Sequence, residues 1–199
     1  MSTLEHEPQS HHLAPEVVAS QQRRAVLFFI LADGVFFASM LFTYFYLHSL
    51  NVNDGWLPEG AHTASAGVVW LVAAVTVASA LAYWSAERGI RSGQRSRFLS
   101  GCLLGLILVV AAIALVIYQA RTWPIYMSDG SYASIFIVMV GVQFAHLLVL
   151  VVLAIGIWNR GNQGKFDEGR YTHVTLVGYY WYWVALTAVL GACTTFFTS

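Results

Sequence analysis

Ala25-Val-Leu-Phe-Phe-Ile-Leu-Ala-Asp-Gly-Val-Phe-Phe-Ala-Ser-Met-Leu-Phe-Thr-Tyr-Phe-Tyr-Leu-His48 contains a single acidic side chain, Asp33, and no Lys or Arg. A helix that crosses a bilayer needs roughly 20 mostly apolar residues, and this run supplies them. Four more stretches share its character, at about 66–86, 98–119, 132–158 and 174–197. The connections are short and rich in turn formers or charge, at 51–60, 87–97, 120–131 and 159–170. None can hold a domain of its own. The sequence therefore predicts an all-α integral membrane protein: a bundle of five transmembrane helices over 23–199, preceded by a polar tail over 1–22. The tail carries Pro8, Pro15, His6, His11 and His12. It lacks the short apolar core and small-residue cleavage site of a signal peptide, and it reads as solvated rather than metal-binding.

Composition agrees. Hydrophobic residues make up 58% of the 199 and charged residues 10%, with a mean hydropathy of +0.63. A soluble domain carries about 45–50% apolar and about 25% charged residues. An ordinary soluble enzyme, a nucleic-acid binder and a disordered chain are excluded on these grounds. Ten basic and ten acidic residues leave no net charge that would draw a polyanionic partner. Cys102 and Cys193 lie apart in apolar runs and form neither a disulfide framework nor a zinc motif.

Nine of the ten Lys and Arg fall on one side of the spans: Arg23, Arg24, Arg88, Arg91, Arg95, Arg97, Arg160, Lys165 and Arg170. Only Arg121 lies on the other. The positive-inside rule then sets the N-terminus in the cytoplasm and the C-terminus in the periplasm. Trp56, Trp123 and Tyr126 in the outer loops suit an interfacial aromatic belt.

In lipid, helices associate through small residues that allow close approach. Ala74, Ala78, Ala82 and Ala86 in the second span, Gly101 and Gly105 in the third, and Gly141 and Ala145 in the fourth read as seams within the bundle or toward a partner. There is no internal repeat, and five spans do not divide into inverted halves, which argues against a transporter.

Asp33 reads as the sole acid inside a span, about nine residues or ~13 Å from its cytoplasmic end. It shares a helix face with Phe29, Phe37 and Tyr44. A carboxylate at that depth costs several kcal/mol unless it is protonated, paired or wet. Gln143 and His146, on one face of the fourth span, are its natural partners. His48 and His173 lie near span ends, so the deep histidines are too few for bis-histidine haem or copper ligation. No CxxCH, Walker, GxSxG or HExxH motif occurs. Asp167 and Glu168 read as a solvated pair in a basic loop. These residues alone define a five-helix membrane subunit with one buried acid and no complete active site.

Three segments together resemble subunit III of the haem–copper respiratory oxidases (cytochrome c or quinol oxidases), in its five-helix form. Leu27-Phe-Phe-Ile-Leu-Ala-Asp-Gly-Val-Phe-Phe37 is similar to that family's intramembrane acid followed by paired phenylalanines. Ser128-Asp-Gly-Ser-Tyr-Ala-Ser-Ile-Phe136, continuing through Gly141 to His146, resembles its Ser-Asp-Gly loop and Gly-x-His-x-x-His helix. Tyr179-Tyr-Trp-Tyr-Trp183 resembles the Trp-Tyr-Trp-His start of its last helix. At four positions the chain departs: the family Glu is Asp33, the first His of the pair is Gln143, the last-helix His is Tyr182, and the acid after it is Ala185. These departures leave a second reading open, the subunit-III-like accessory protein of nitric oxide reductases, a relative with the same helical core.

The resemblance implies a non-catalytic subunit of an oxidoreductase complex in aerobic electron transport, with no active site in this chain. It implies haems and copper in the partner catalytic subunit, subunit I, and contact with subunit II and a small subunit IV. It implies support of proton uptake and proton translocation, protection of the catalytic subunit during turnover, and bound phospholipid. It implies no cofactor, metal or catalytic residue here. Asp33, with Gln143, His146 and Tyr182, is expected to maintain a buried polar, lipid-linked region, and Arg88, Arg91, Arg95 and Arg97 to meet lipid phosphates. The expected location is a bacterial or archaeal inner membrane, crossed several times.

Overall fold

The computed structural model describes residues 15–51, 55–60, 62–123 and 125–197. Five helices fill it: α1 (Pro15–Ser49), α2 (Ala66–Arg91), α3 (Arg95–Thr122), α4 (Ser131–Asn162) and α5 (Thr172–Cys193), with a 3-10 turn at Thr194–Phe196. All five are long and apolar enough to cross a membrane, and no strand occurs among the described residues. The first four helices run past the apolar stretches that predict them at one end or both, whereas α5 starts two residues early and gives way to the 3-10 turn before residue 197. Inside the bilayer every backbone N–H and C=O must be satisfied within the helix, and nothing at the headgroup boundary ends that pattern. Arg, Gln and Tyr side chains can continue it by reaching toward the interface.

The largest extension is at the start. α1 begins at Pro15, a residue tolerated in a first helical turn because its missing N–H has no partner there in any case. Part of the stretch expected as a tail is therefore helical. His6, His11 and His12 lie outside the described residues.

α2 packs on α3 and α5, α3 on α4, and α1 lies along α4 and α5. α1 is the least buried span; α5 is the most buried. The main core sits among α2 to α5 around Tyr83, Phe98, Leu147, Leu150 and Trp181.

Two of the expected seams face each other. A Cβ placed on Gly101 would lie 2.8 Å from the Ala86 Cβ and 2.9 Å from the Ala82 carbonyl oxygen. Ala82 and Ala86 are buried, whereas Ala74 and Ala78 are exposed. The reason is geometric: each i, i+4 step overshoots a full turn by about 40°, so a four-residue stripe drifts about 120° around a straight helix. The seam expected at Gly141 and Ala145 is not formed within the bundle. Both residues are exposed, and a Cβ on Gly141 would meet nothing within 4 Å.

This difference gives a paired test. Gly101→Val is expected to destabilise the bundle by about 1–3 kcal/mol or more through overpacking against backbone that cannot yield. Gly141→Val should be near neutral. Thermal unfolding of the detergent-solubilised complex measures both, and equal shifts for the two variants would contradict the α2–α3 seam.

A second cluster of Tyr44, Trp56, Tyr132 and Phe136 closes the end of the bundle that carries the 51–64 and 123–131 loops. Trp56 is 2% exposed and stands edge-on to Tyr44 and Tyr132. It is a packing residue of this cluster and not part of an interfacial belt. Trp123 donates to the His62 carbonyl at 2.9 Å, and Tyr126 is exposed.

Candidate functional site

Successive side chains on a helix point about 100° apart, so a run of polar-tipped aromatics can serve several neighbours from one turn. The run at the start of α5 does this. Trp181 stacks on Tyr83 of α2, with ring centroids 4.3 Å apart, and its Nε1–H donates to Ser79 Oγ at 2.9 Å. Tyr182 donates its hydroxyl to Glu87 Oε2 at 2.8 Å. Trp183 Nε1–H donates to Asp33 Oδ2 on α1. Tyr180 meets the His146 ring of α4 edge-on at 6.2 Å. One turn of α5 therefore ties α1, α2 and α4 together, and two of its side chains end on carboxylates, Asp33 of α1 and Glu87 of α2.

Asp33 is held from two sides. His146 Nε2 lies 3.2 Å from both carboxylate oxygens, and Trp183 donates from the other side. An indole N–H can only donate, so Oδ2 accepts. Nδ1 of His146 is buried and has no partner among the described residues. Nε2 is thus the ring nitrogen placed to donate to the carboxylate. Phe37 and Tyr44 on the Asp33 face are buried; Phe29 is exposed.

Of the partners expected for Asp33, the structure brings His146 and does not bring Gln143. A spacing of three turns the side chain by 300°, so Gln143 and His146 diverge by about 60° on α4. Gln143 Oε1 instead lies 3.4 Å from the Thr187 hydroxyl oxygen of α5. Trp183, unmarked by the sequence reading as a donor, takes the place at Asp33.

A second acid, which the sequence reading placed in the loop after the second span, is buried at the end of α2. Glu87 lies within α2 and is 5% exposed. It accepts from Tyr182, from the Thr175 hydroxyl at 2.9 Å, and from Arg91 one turn along its own helix. Gly178 makes room for it: a Cβ there would sit 3.2 Å from Glu87 Oε2 and 3.3 Å from Tyr83. The signal in the sequence was the Glu87–Arg91 pair at i, i+4, which extends a helix beyond its apolar part. Tyr182 is thus placed on the second acid, away from Asp33.

The four arginines expected to meet lipid phosphates are exposed, and each is braced by its own protein contact. Arg88 lies over the Trp84 ring at 3.8 Å, and Arg91 over Tyr171 at 5.3 Å. Arg95 donates to the Asn162 carbonyl at 2.7 Å, and Arg97 to Ser85 Oγ at 3.3 Å. In the loop beyond, the Arg170 guanidinium hydrogen-bonded to Asp167 holds that exposed carboxyl below its ordinary value. Among the described residues no group of three or more His, Cys, Asp or Glu converges.

Fold and site together define a polytopic helical membrane protein in which two acids, Glu87 buried and Asp33 partly buried, bond helices to one another. The family model for cytochrome c oxidase subunit III matches residues 4–193. Three proteins named cytochrome c oxidase subunit 3 illustrate the likeness. That of Corynebacterium diphtheriae is 26% identical over 180 residues, covering 86% of this chain and 87% of its own. That of Ceratotherium simum is 27% identical over 181 residues, covering 88% and 68%. That of the yeast Wickerhamomyces canadensis is 24% identical over 152 residues, covering 74% and 56%. The chain belongs to the cytochrome c oxidase subunit III family, a non-catalytic subunit of the haem–copper oxidases.

Proposed function

We propose that this chain stabilises the catalytic subunit of a terminal oxidase and supports its proton uptake during oxygen reduction. It does so as one membrane domain over 23–199, with the N-terminus cytoplasmic and the C-terminus periplasmic in a bacterial or archaeal inner membrane. Its partners are subunits I and II and a small subunit IV. Subunit I carries the haems and copper. Phospholipid lies against the bundle, its phosphates met by Arg88, Arg91, Arg95 and Arg97 at the cation-rich end. The orientation is supported by the nine cations on one side.

The observation that carries the reading is the Asp33 clamp. A carboxylate in a span is costly, and α4 and α5 each contribute a side chain to hold this one. Two N–H donors offset part of that cost and fix α1, the least buried helix, to the rest of the bundle. The other polar tie of α1 is at its far end, where the Tyr44 hydroxyl donates to the Thr194 carbonyl at 3.0 Å; the rest of its contacts are largely apolar, which lipid can replace. Asp33 therefore does two things: it docks α1, and it keeps an ionisable group at membrane depth beside His146.

Asp33→Asn separates the two. The amide oxygen still accepts from Trp183, so α1 stays docked, while the ionisable group is gone. The expected result is an intact complex with slower proton uptake and a shorter lifetime in turnover. A variant complex with unchanged proton uptake, turnover lifetime and bound phospholipid would remove this role for Asp33.

A further inference from the structure

A narrow, half-open cavity of about 50 Å³ lies where all five helices contribute a wall. Its lining is mainly apolar, with three polar side chains: Gln119 of α3, Gln143 of α4 and Thr187 of α5. Gln119 is 4% exposed. The amide nitrogens of both glutamines are buried and have no hydrogen-bond partner among the described residues. Each is an amide with N–H donors facing an apolar wall, a state that native proteins largely avoid.

We propose that this cavity is a water-binding site, in which ordered water accepts from the Gln119 and Gln143 amides and joins α3 to α4 and α5. The size fits: a water needs about 10–15 Å³ of such volume, so the cavity admits more than one. The chemistry fits as well. The orphan groups are donors, so the ligand must accept, and it must be small and neutral to enter an apolar wall. Thr187 offers a further polar contact. Its hydroxyl donates to the Val184 carbonyl at 3.0 Å and lies 3.4 Å from Gln143 Oε1, which leaves its oxygen able to accept a hydrogen bond from water. The site accounts for Gln143, which has no contact with Asp33. It does not depend on the function proposed above.

Two methionines make the test internal. Met139 lines the cavity and is 6% exposed; Met40 is 5% exposed and does not line it. Pulsed X-ray hydroxyl labelling of the intact complex in ¹⁸O-water generates radicals from bound as well as bulk water. Met139 should be oxidised severalfold faster than Met40, with exposed Met127 as the fully reactive reference. In a Gln119→Leu, Gln143→Leu double variant, Met139 should fall to the Met40 rate. Protection of Met139 equal to that of Met40 in the unaltered chain would overturn the site, and that comparison needs no variant to fold. Undiminished labelling of Met139 in a folded double variant would also overturn it, since water would then be reaching the methionine without the amides.

Discussion

Replacing Trp181 with Ala is expected to cost the bundle about 3–5 kcal/mol, the range for truncating a fully buried Trp or Phe. Trp181 has no exposed surface and stacks on Tyr83. It also covers Gly105, where an added Cβ would come within 3.2 Å of the indole ring. In lipid, helices gain little from burying apolar surface as such, so the loss is mostly of close packing. Ser79 is left with no indole donor in a site it cannot leave. Trp84 on the same α2 is the control: it is 42% exposed and its main partner is Arg88, so Trp84→Ala should cost about 1 kcal/mol or less. Reversible unfolding of the purified subunit in mixed micelles compares the two. Equal losses would mean that α5 is not the packing axis of the bundle.

The second large effect belongs to Glu87. Glu87→Leu is expected to cost about 3–5 kcal/mol, because breaking a buried charged network strands the groups that faced it. Tyr182 and Thr175 would lose their acceptor between α2 and α5. Arg91 is half-exposed and can turn to water, so it contributes little to the loss. Glu87→Gln keeps one acceptor oxygen and should cost clearly less. A double-mutant cycle with Tyr182→Phe should return a coupling of about 0.5–3 kcal/mol, the range for residues in contact. Additive losses would show that the two side chains do not depend on each other.

Hydropathy alone placed all five helices, because a span of twenty-odd apolar residues has few alternatives. It did not place their ends, since the ends are where side chains turn amphipathic. Glu87 was misplaced for that reason: it follows Ala86 at the edge of the apolar run, yet the helix carries it inward onto Tyr182. The Asp33–His146 pair was legible because few ionisable groups lie at that depth. Trp183 was not legible as a donor, and Tyr182 was expected with Asp33 rather than on Glu87, because an aromatic residue in an apolar run looks the same whichever partner its polar tip has. The small-residue stripes were legible as seams but not in their direction. Ala82 meets Gly101 and Gly141 faces outward, and only the rotation of each helix decides which.

The most direct test of the account is to purify the chain through an affinity tag in mild detergent and record a reduced-minus-oxidised optical spectrum with gas consumption. The account predicts haem bands in stoichiometric yield and oxygen uptake, contributed by a co-purifying catalytic subunit. A stable, colourless, solitary protein would contradict it, and so would haem b with nitric oxide reduction and no oxygen uptake.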